Sequence, residues 1–159
     1  MRFCKGYILS IKEKSTKKRA KAKPKTKSIR QLRTEADRLA SEVVRLRDKR
    51  CLMCGATEGL QAHHFIVTKG ASTKHRWDLR NLISLCYPCH IHKVHSTASL
   101  KWIGLLKKSA IFNGICTEED IEEISGDIEP MRLNKGLLEN IITALKVKKE
   151  QLLNGRSEF

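Results

Sequence analysis

Cys51-Leu52-Met53-Cys54 and Cys86-Tyr87-Pro88-Cys89-His90 bracket a stretch that carries Ala62-His63-His64-Phe65 and Asn81-Leu82. Two Cys-x-x-Cys pairs separated by 31 residues favour a metal site over a thioredoxin-like redox centre, which needs only one pair. Thiolates are soft ligands that close a tetrahedral shell around zinc and leave no position for substrate, so Cys51, Cys54, Cys86 and Cys89 read as a structural Zn2+ site. The histidines are then free for chemistry at a second, catalytic metal site.

Outward from these motifs, Gly55 and Gly59 punctuate the first cysteine knuckle, and Leu60 to Val67 has the composition of a short strand. Thr68 to Arg80 reads as a loop of small and basic residues, Leu82 to Leu85 as a second strand, and Pro88 suits the first turn of a helix. The order strand, loop, strand, helix predicts an α+β unit. About 45 residues rarely fold on their own core, so zinc and flanking helices must carry its stability. Ser28 can cap a helix whose apolar positions Ile29, Leu32, Ala36, Leu39, Val43 and Leu46 alternate in steps of three and four. Its stripe reads as packed on the domain core, with a coiled-coil partner site as the alternative; a homodimer stays open. Downstream, a helix from Leu100 to Phe112 is broken by Asn113-Gly114, Thr117 with Asp120 forms a capping box for an acidic helix ending near Gly126, and a last helix runs from about Leu133 to Leu153. Cys4 and Cys116 lack paired spacing and read as ordinary thiols, while Trp77 and Trp102 read as packing residues.

The 159-residue chain has a formal net charge of +15, which points to a polyanionic partner, DNA in particular. Residues 1 to 27 hold 11 Lys/Arg against one acid, whereas residues 117 to 159 hold 6 against 10, so the acidic end is not expected to face the polyanion. The stretch from Lys12 to Lys27 has almost nothing apolar to bury and reads as a disordered basic arm. No run of about 18 apolar residues and no secretory leader pattern is present, so neither a membrane partner nor secretion is expected, and the chain reads as intracellular.

The ordered pattern Cys-x-x-Cys, His63-His64, Asn81, Cys-x-x-Cys-His90 resembles the HNH endonuclease family, over about 40 of the residues. That resemblance implies a small ββα-metal module, in which a two-stranded hairpin and a helix clasp one ion. It divides the chain into a basic arm at 1–27, an amphipathic helix packed on the module at 28–50, the nuclease module at 51–99 and a helical region at 100–159. It further implies metal-dependent hydrolysis of DNA phosphodiester bonds, with His64 as general base, His63 and His90 as ligands of a catalytic Mg2+ or Mn2+, and Asn81 bridging the long loop by side-chain hydrogen bonds. His64, Asn81 and His90 form the catalytic set. Adjacent strand residues point to opposite faces, so a bulge or strong twist is expected at His63-His64; with a regular strand, His63 becomes a scaffold residue. Lys69, Lys74, Arg76, Lys93 and His95 are assigned to DNA contact, with a metal-ligand role open for His95. His92 reads as surface.

More loosely, the basic arm, the helix running into Arg47-Asp48-Lys49-Arg50-Cys51 and the helical tail resemble the phage NinG/Rap recombination nucleases. This implies action on branched DNA such as D-loops and four-way junctions, in the cytoplasm of a bacterial host. The alternatives are a zinc-dependent DNA-binding module without catalysis and a restriction or homing enzyme of the HNH type.

Overall fold

A computed structural model describes residues 26–96 and 99–155. Apart from its last two residues, the basic arm at 1–27 lies outside the described residues, as does Cys4. Helix α1 spans Ile29–Asp48 and begins in a capping box, in which the Ser28 hydroxyl accepts from the Gln31 amide and the Gln31 side chain accepts from the Ser28 amide at 2.8 Å. Two orphan amides are satisfied at once. The helix stops at Lys49, whose φ of +58° turns the chain left-handed while its amide still donates to the Arg45 carbonyl. That turn delivers Cys51 directly beneath the helix end.

Strands β1 (Leu60–His64) and β2 (Leu82–Cys86) form a two-stranded antiparallel sheet with an unbroken register, Leu60 opposite Cys86 through His64 opposite Leu82. A short π-helix over Cys89–Val94 follows, then α2 (Ser99–Phe112), α3 (Glu118–Gly126) and α4 (Lys135–Leu153). A hairpin of this size is marginal in water. Here it stands between two cores. One face, through Ala62 and Leu82, meets Leu32, Ala36, Leu39 and Val43 of α1 together with Leu138, Ile142 and Leu145 of α4. The other, through Ile83 and Leu85, meets Phe65, Cys51, Cys89 and Val94, with Leu106 and Ala110 of α2. All five residues of β2 are buried for this reason.

The first strand ends three residues earlier than its composition predicts. The Phe65 amide still donates to the Asn81 carbonyl, in register with the strands, but those of Ile66 and Val67 donate to the Asn81 side-chain oxygen at 3.0 and 3.1 Å, which takes these two out of the ladder. The end of the hairpin is fastened to α1 by an ion pair. Arg47 reaches the carbonyls of Leu79 and Leu82 at 2.7 and 2.6 Å while pairing with Asp48, and Asp48 accepts the Ser84 amide at 2.6 Å. Asp48 is almost fully enclosed, and this pair sets the register of hairpin against helix.

The remaining boundaries have local causes. Gly114, at φ +66°, follows the end of α2, and the Thr117 and Asp120 box starts α3. Helix α4 starts at Lys135 because Asn134 caps it, its side chain accepting from the Leu137 amide at 2.9 Å. Among the described residues no helix is long and apolar enough to cross a membrane.

Candidate metal centres and a buried imidazole

The sequence places a Cys-x-x-Cys pair at each end of the hairpin, and the fold brings the pairs together. Cys51 and Cys54 sit in a knuckle closed by hydrogen bonds from the Cys51 amide to the Ala56 carbonyl and from the Gly55 amide to the Cys51 carbonyl. Gly55 there takes φ +79°. Cys86 ends β2 and Cys89 opens the π-helix. The four sulfurs all lie within 4.8 Å of one another. Burial pushes the Cys89 thiol up to about 12 and raises that of Cys86, whereas a hydrogen bond with the Ala56 backbone, aided by neighbouring thiols, lowers Cys54 to about 7. Cys86 and Cys89 would not be thiolates near neutral pH without a cation beside them, and a closed set of four soft donors suits a structural metal such as zinc.

A second cluster gathers three imidazoles. His63 of β1, His90 of the π-helix and His95 just beyond it bring ligand nitrogens within 4.8 Å of one another, with ring centroids 4.9 to 5.5 Å apart. The wide π turn makes this possible. The His95 amide bonds to the His90 carbonyl, five residues back, and puts residues 90 and 95 on one face while Val94 enters the core. In an α-helix, residue 94 would take that place. Burial, reinforced by the neighbouring imidazoles, pushes His63 down to about 3, and burial also lowers His90. Both stay neutral, as metal ligation requires. The Nδ1 of His90 donates to the Gln61 side-chain oxygen at 2.6 Å, which leaves Nε2 as the free lone pair. Gln61 precedes His63 by two and shares its face, a signal that strand alternation offers and that the motif reading passed over. Three nitrogens with the exposed His95 at the rim make an open site rather than a closed one.

His64 is not part of this cluster. The register continues through both histidines without a bulge, so alternation sends His64 to the opposite face. The expected bulge is absent, and His63 is nevertheless grouped with His90. His64 lies in a cleft of about 310 Å³ between α1 and the loop, lined also by Asp37, Arg38, Ser41, Lys69 and Arg76. Its Nε2 is 2.9 Å from the Arg76 carbonyl oxygen. A carbonyl can only accept, so Nε2 carries the proton and Nδ1 of the neutral ring holds the lone pair. Burial lowers the His64 pKa, partly offset by that same hydrogen bond. Asn81 is fully buried and ties the loop behind it: its oxygen accepts from Ile66 and Val67, and its nitrogen donates to the carbonyls of Val67 and His75 at 2.9 and 3.1 Å.

The basic residues assigned to DNA contact all have intramolecular partners. Lys69 and Arg76 pair with Asp37, Lys74 with Asp127, and the Lys93 ammonium sits 5.1 Å from the Trp102 ring centroid. His92 packs edge-on to Tyr87 at the surface. Asp37, on the polar face of α1, has no sequence pattern that marks it.

The carboxylates of this region carry a pH signature. Burial opposes the ionisation of Asp37 and Asp78 most strongly. Hydrogen bonds from Arg76 and Lys69 to the first, and from Arg80 to the second, outweigh it and hold both below the ordinary range. The unfolded chain therefore binds more protons than the folded one as pH falls past about 4, so their stabilisation is present above that pH and lost below it. The difference in urea midpoint between the wild type and Asp78→Asn is expected to shrink as pH is lowered from 6 to 3. A constant difference contradicts this ionic role.

A family model described as NinG, bacteriophage lambda NinG protein, matches residues 9–154. No curated protein and no solved structure gave a match.

Proposed function

The chain belongs to the bacteriophage lambda NinG protein family, and from that footing we propose that it is a metal-dependent DNA endonuclease of the HNH type, serving phage recombination or DNA processing in the bacterial host. The observation that carries the reading is the pair of imidazole sites on one strand. His63, His90 and His95 make an open nitrogen cluster on one face of β1, and a neutral His64, proton fixed on Nε2, occupies the next position on the other. Among the described residues, strand β1 pairs with β2 along one edge only. On this reading a phosphodiester lies along the other edge, between the two faces.

Hydrolysis of a phosphodiester needs an activated water and charge stabilisation at the phosphate and the departing oxygen. His64 takes the proton of the attacking water on Nδ1, and the Arg76 carbonyl stabilises the imidazolium that forms. Asn81 and its loop keep that carbonyl in place. His63, His90 and His95 would hold the divalent ion, which, when bound, supplies Lewis-acid stabilisation of the phosphate and of the leaving 3'-oxygen. Imidazole nitrogen suits a transition ion better than Mg2+, so of the two ions considered Mn2+ is the better fit. The four-cysteine centre sits at the other end of the hairpin and holds the π-helix against it, completing a ββα arrangement. The net charge of +15 supports DNA as the partner, and branched DNA is what the resemblance to the recombination nucleases implies.

The test is cleavage of supercoiled, linear and four-way-junction DNA by the purified full chain with Mn2+ or Mg2+, with and without chelator. Ion-dependent nicking with preference for the junction is expected. DNA that is bound but stays uncut in every ion would establish instead the second reading, a zinc-dependent DNA-binding module.

A further inference from the structure

Among the contacts that hold the loop presenting the Arg76 carbonyl to His64, Asn81 belongs to the recognised motif and Asp37 does not. Asn81 fixes Ile66, Val67 and His75. Residues 76 and 77, which include the carbonyl in question, are fixed by Asp37. Its Oδ1 accepts from Arg76 Nε at 2.9 Å and Trp77 Nε1 at 2.9 Å; its Oδ2 accepts from Arg76 Nη2 at 2.7 Å and pairs with Lys69 Nζ at 2.8 Å. One carboxylate on α1 thus gathers four donors from both limbs of the loop.

We propose that Asp37 is a positioning residue for His64, acting through Arg76; this rests on the reading of His64 as the base. The same residue that Asp37 grips by its guanidinium carries the carbonyl that fixes the His64 proton, so a single link joins helix to imidazole. The grip is bidentate, which sets orientation as well as distance. Its anchor is firm: α1 packs along α4 through Leu32, Ala36, Leu39 and Val43, and Trp77 is itself buried in that core. A structural ion pair alone would need neither the bidentate grip nor the third donor from Trp77. Asp37 also lines the cleft beside His64, at a place that a phosphate neutralising Lys69 or Arg38 would share.

The test uses the zinc-loaded full chain and Asp37→Asn, which keeps shape but removes the charge and one of the two equivalent acceptors. Ring nitrogen shifts from long-range ¹⁵N–¹H correlation spectra report which nitrogen of His64 carries the proton, whether or not the protein cuts DNA. The wild type is expected to show the Nε2–H form, and Asp37→Asn a mixture of both forms. In cleavage assays kcat should fall about 10- to 100-fold with KM for DNA changed less than threefold, as for other groups that orient a reacting side chain. If Asp37→Asn does not fold, Arg76→Met removes the guanidinium and should produce the same mixture. A folded variant of either kind that retains pure Nε2–H, or wild-type kcat in Asp37→Asn, overturns the proposal. A shifted proton in a protein that never cuts DNA upholds the link from Asp37 to His64 and rejects the nuclease reading alone.

Discussion

His64→Ala is expected to lower DNA cleavage by about 10²- to 10⁴-fold, the range contributed by a positioned general base, while folding and DNA binding persist. His64 lies in a cleft rather than in either apolar core, and its ring bonds to a loop carbonyl that water can satisfy. Truncation therefore removes the proton acceptor without opening a sealed cavity. Circular dichroism and a binding isotherm establish that the variant is intact before its rate is read. Robust cleavage by such a folded variant would refute His64 as base and move the function to another group. His90→Ala should fail differently, by raising the Mn2+ concentration needed for activity, because it removes a donor from the ion cluster.

The larger effect on the fold is expected from Cys89→Ser. Structural zinc in thiolate sites is worth about 10–16 kcal/mol in small metal-dependent domains, against about 5–15 kcal/mol for the whole stability of a typical domain. Cys51, Cys86 and Cys89 are themselves buried members of the core around Ile83, Leu85 and Val94, so losing the metal there leaves thiols inside that core without their cation. The variant should purify without its equivalent of zinc and unfold tens of degrees below the wild type, and chelator should bring the wild type to the same state. Cys116→Ser is the control. Cys116 is buried in the same core but is not among the four clustered thiols, so it should retain the metal and lose far less. Equal loss in both variants would show that packing, not metal, holds this half together.

What could be read from the residues alone was what depends on spacing. The Cys-x-x-Cys pairs group because each is short enough to act as a unit, and a hairpin must bring its ends together. The capping boxes at Ser28 and Thr117, and the apolar stripe of α1, are local or periodic and so were visible. Features that depend on handedness or on long-range side-chain contact were not. Sequence spacing leaves His95 between DNA contact and metal ligation, because an α-helical turn puts it on a different face from His90; the π turn, which buries Val94, rotates it into the cluster with His90. The expected bulge at His63-His64 arose from requiring both rings at one site, and the regular register removes that need by giving each ring its own face. Asp37, 39 residues from Arg76, and Arg47, which caps the carbonyls of Leu79 and Leu82, sit on a helix whose polar face carries several other charges. Nothing local distinguishes them.

The most direct measurement is anomalous diffraction from crystals grown with zinc and soaked in Mn2+, with data at the edges of both metals. The account predicts a zinc peak centred among Cys51, Cys54, Cys86 and Cys89, and a separate manganese peak bound by His63, His90 and His95, with His64 beyond coordination distance and bonded to the Arg76 carbonyl. A manganese ion ligated by His64, or no second peak beside the thiolate site at saturating Mn2+, would contradict it.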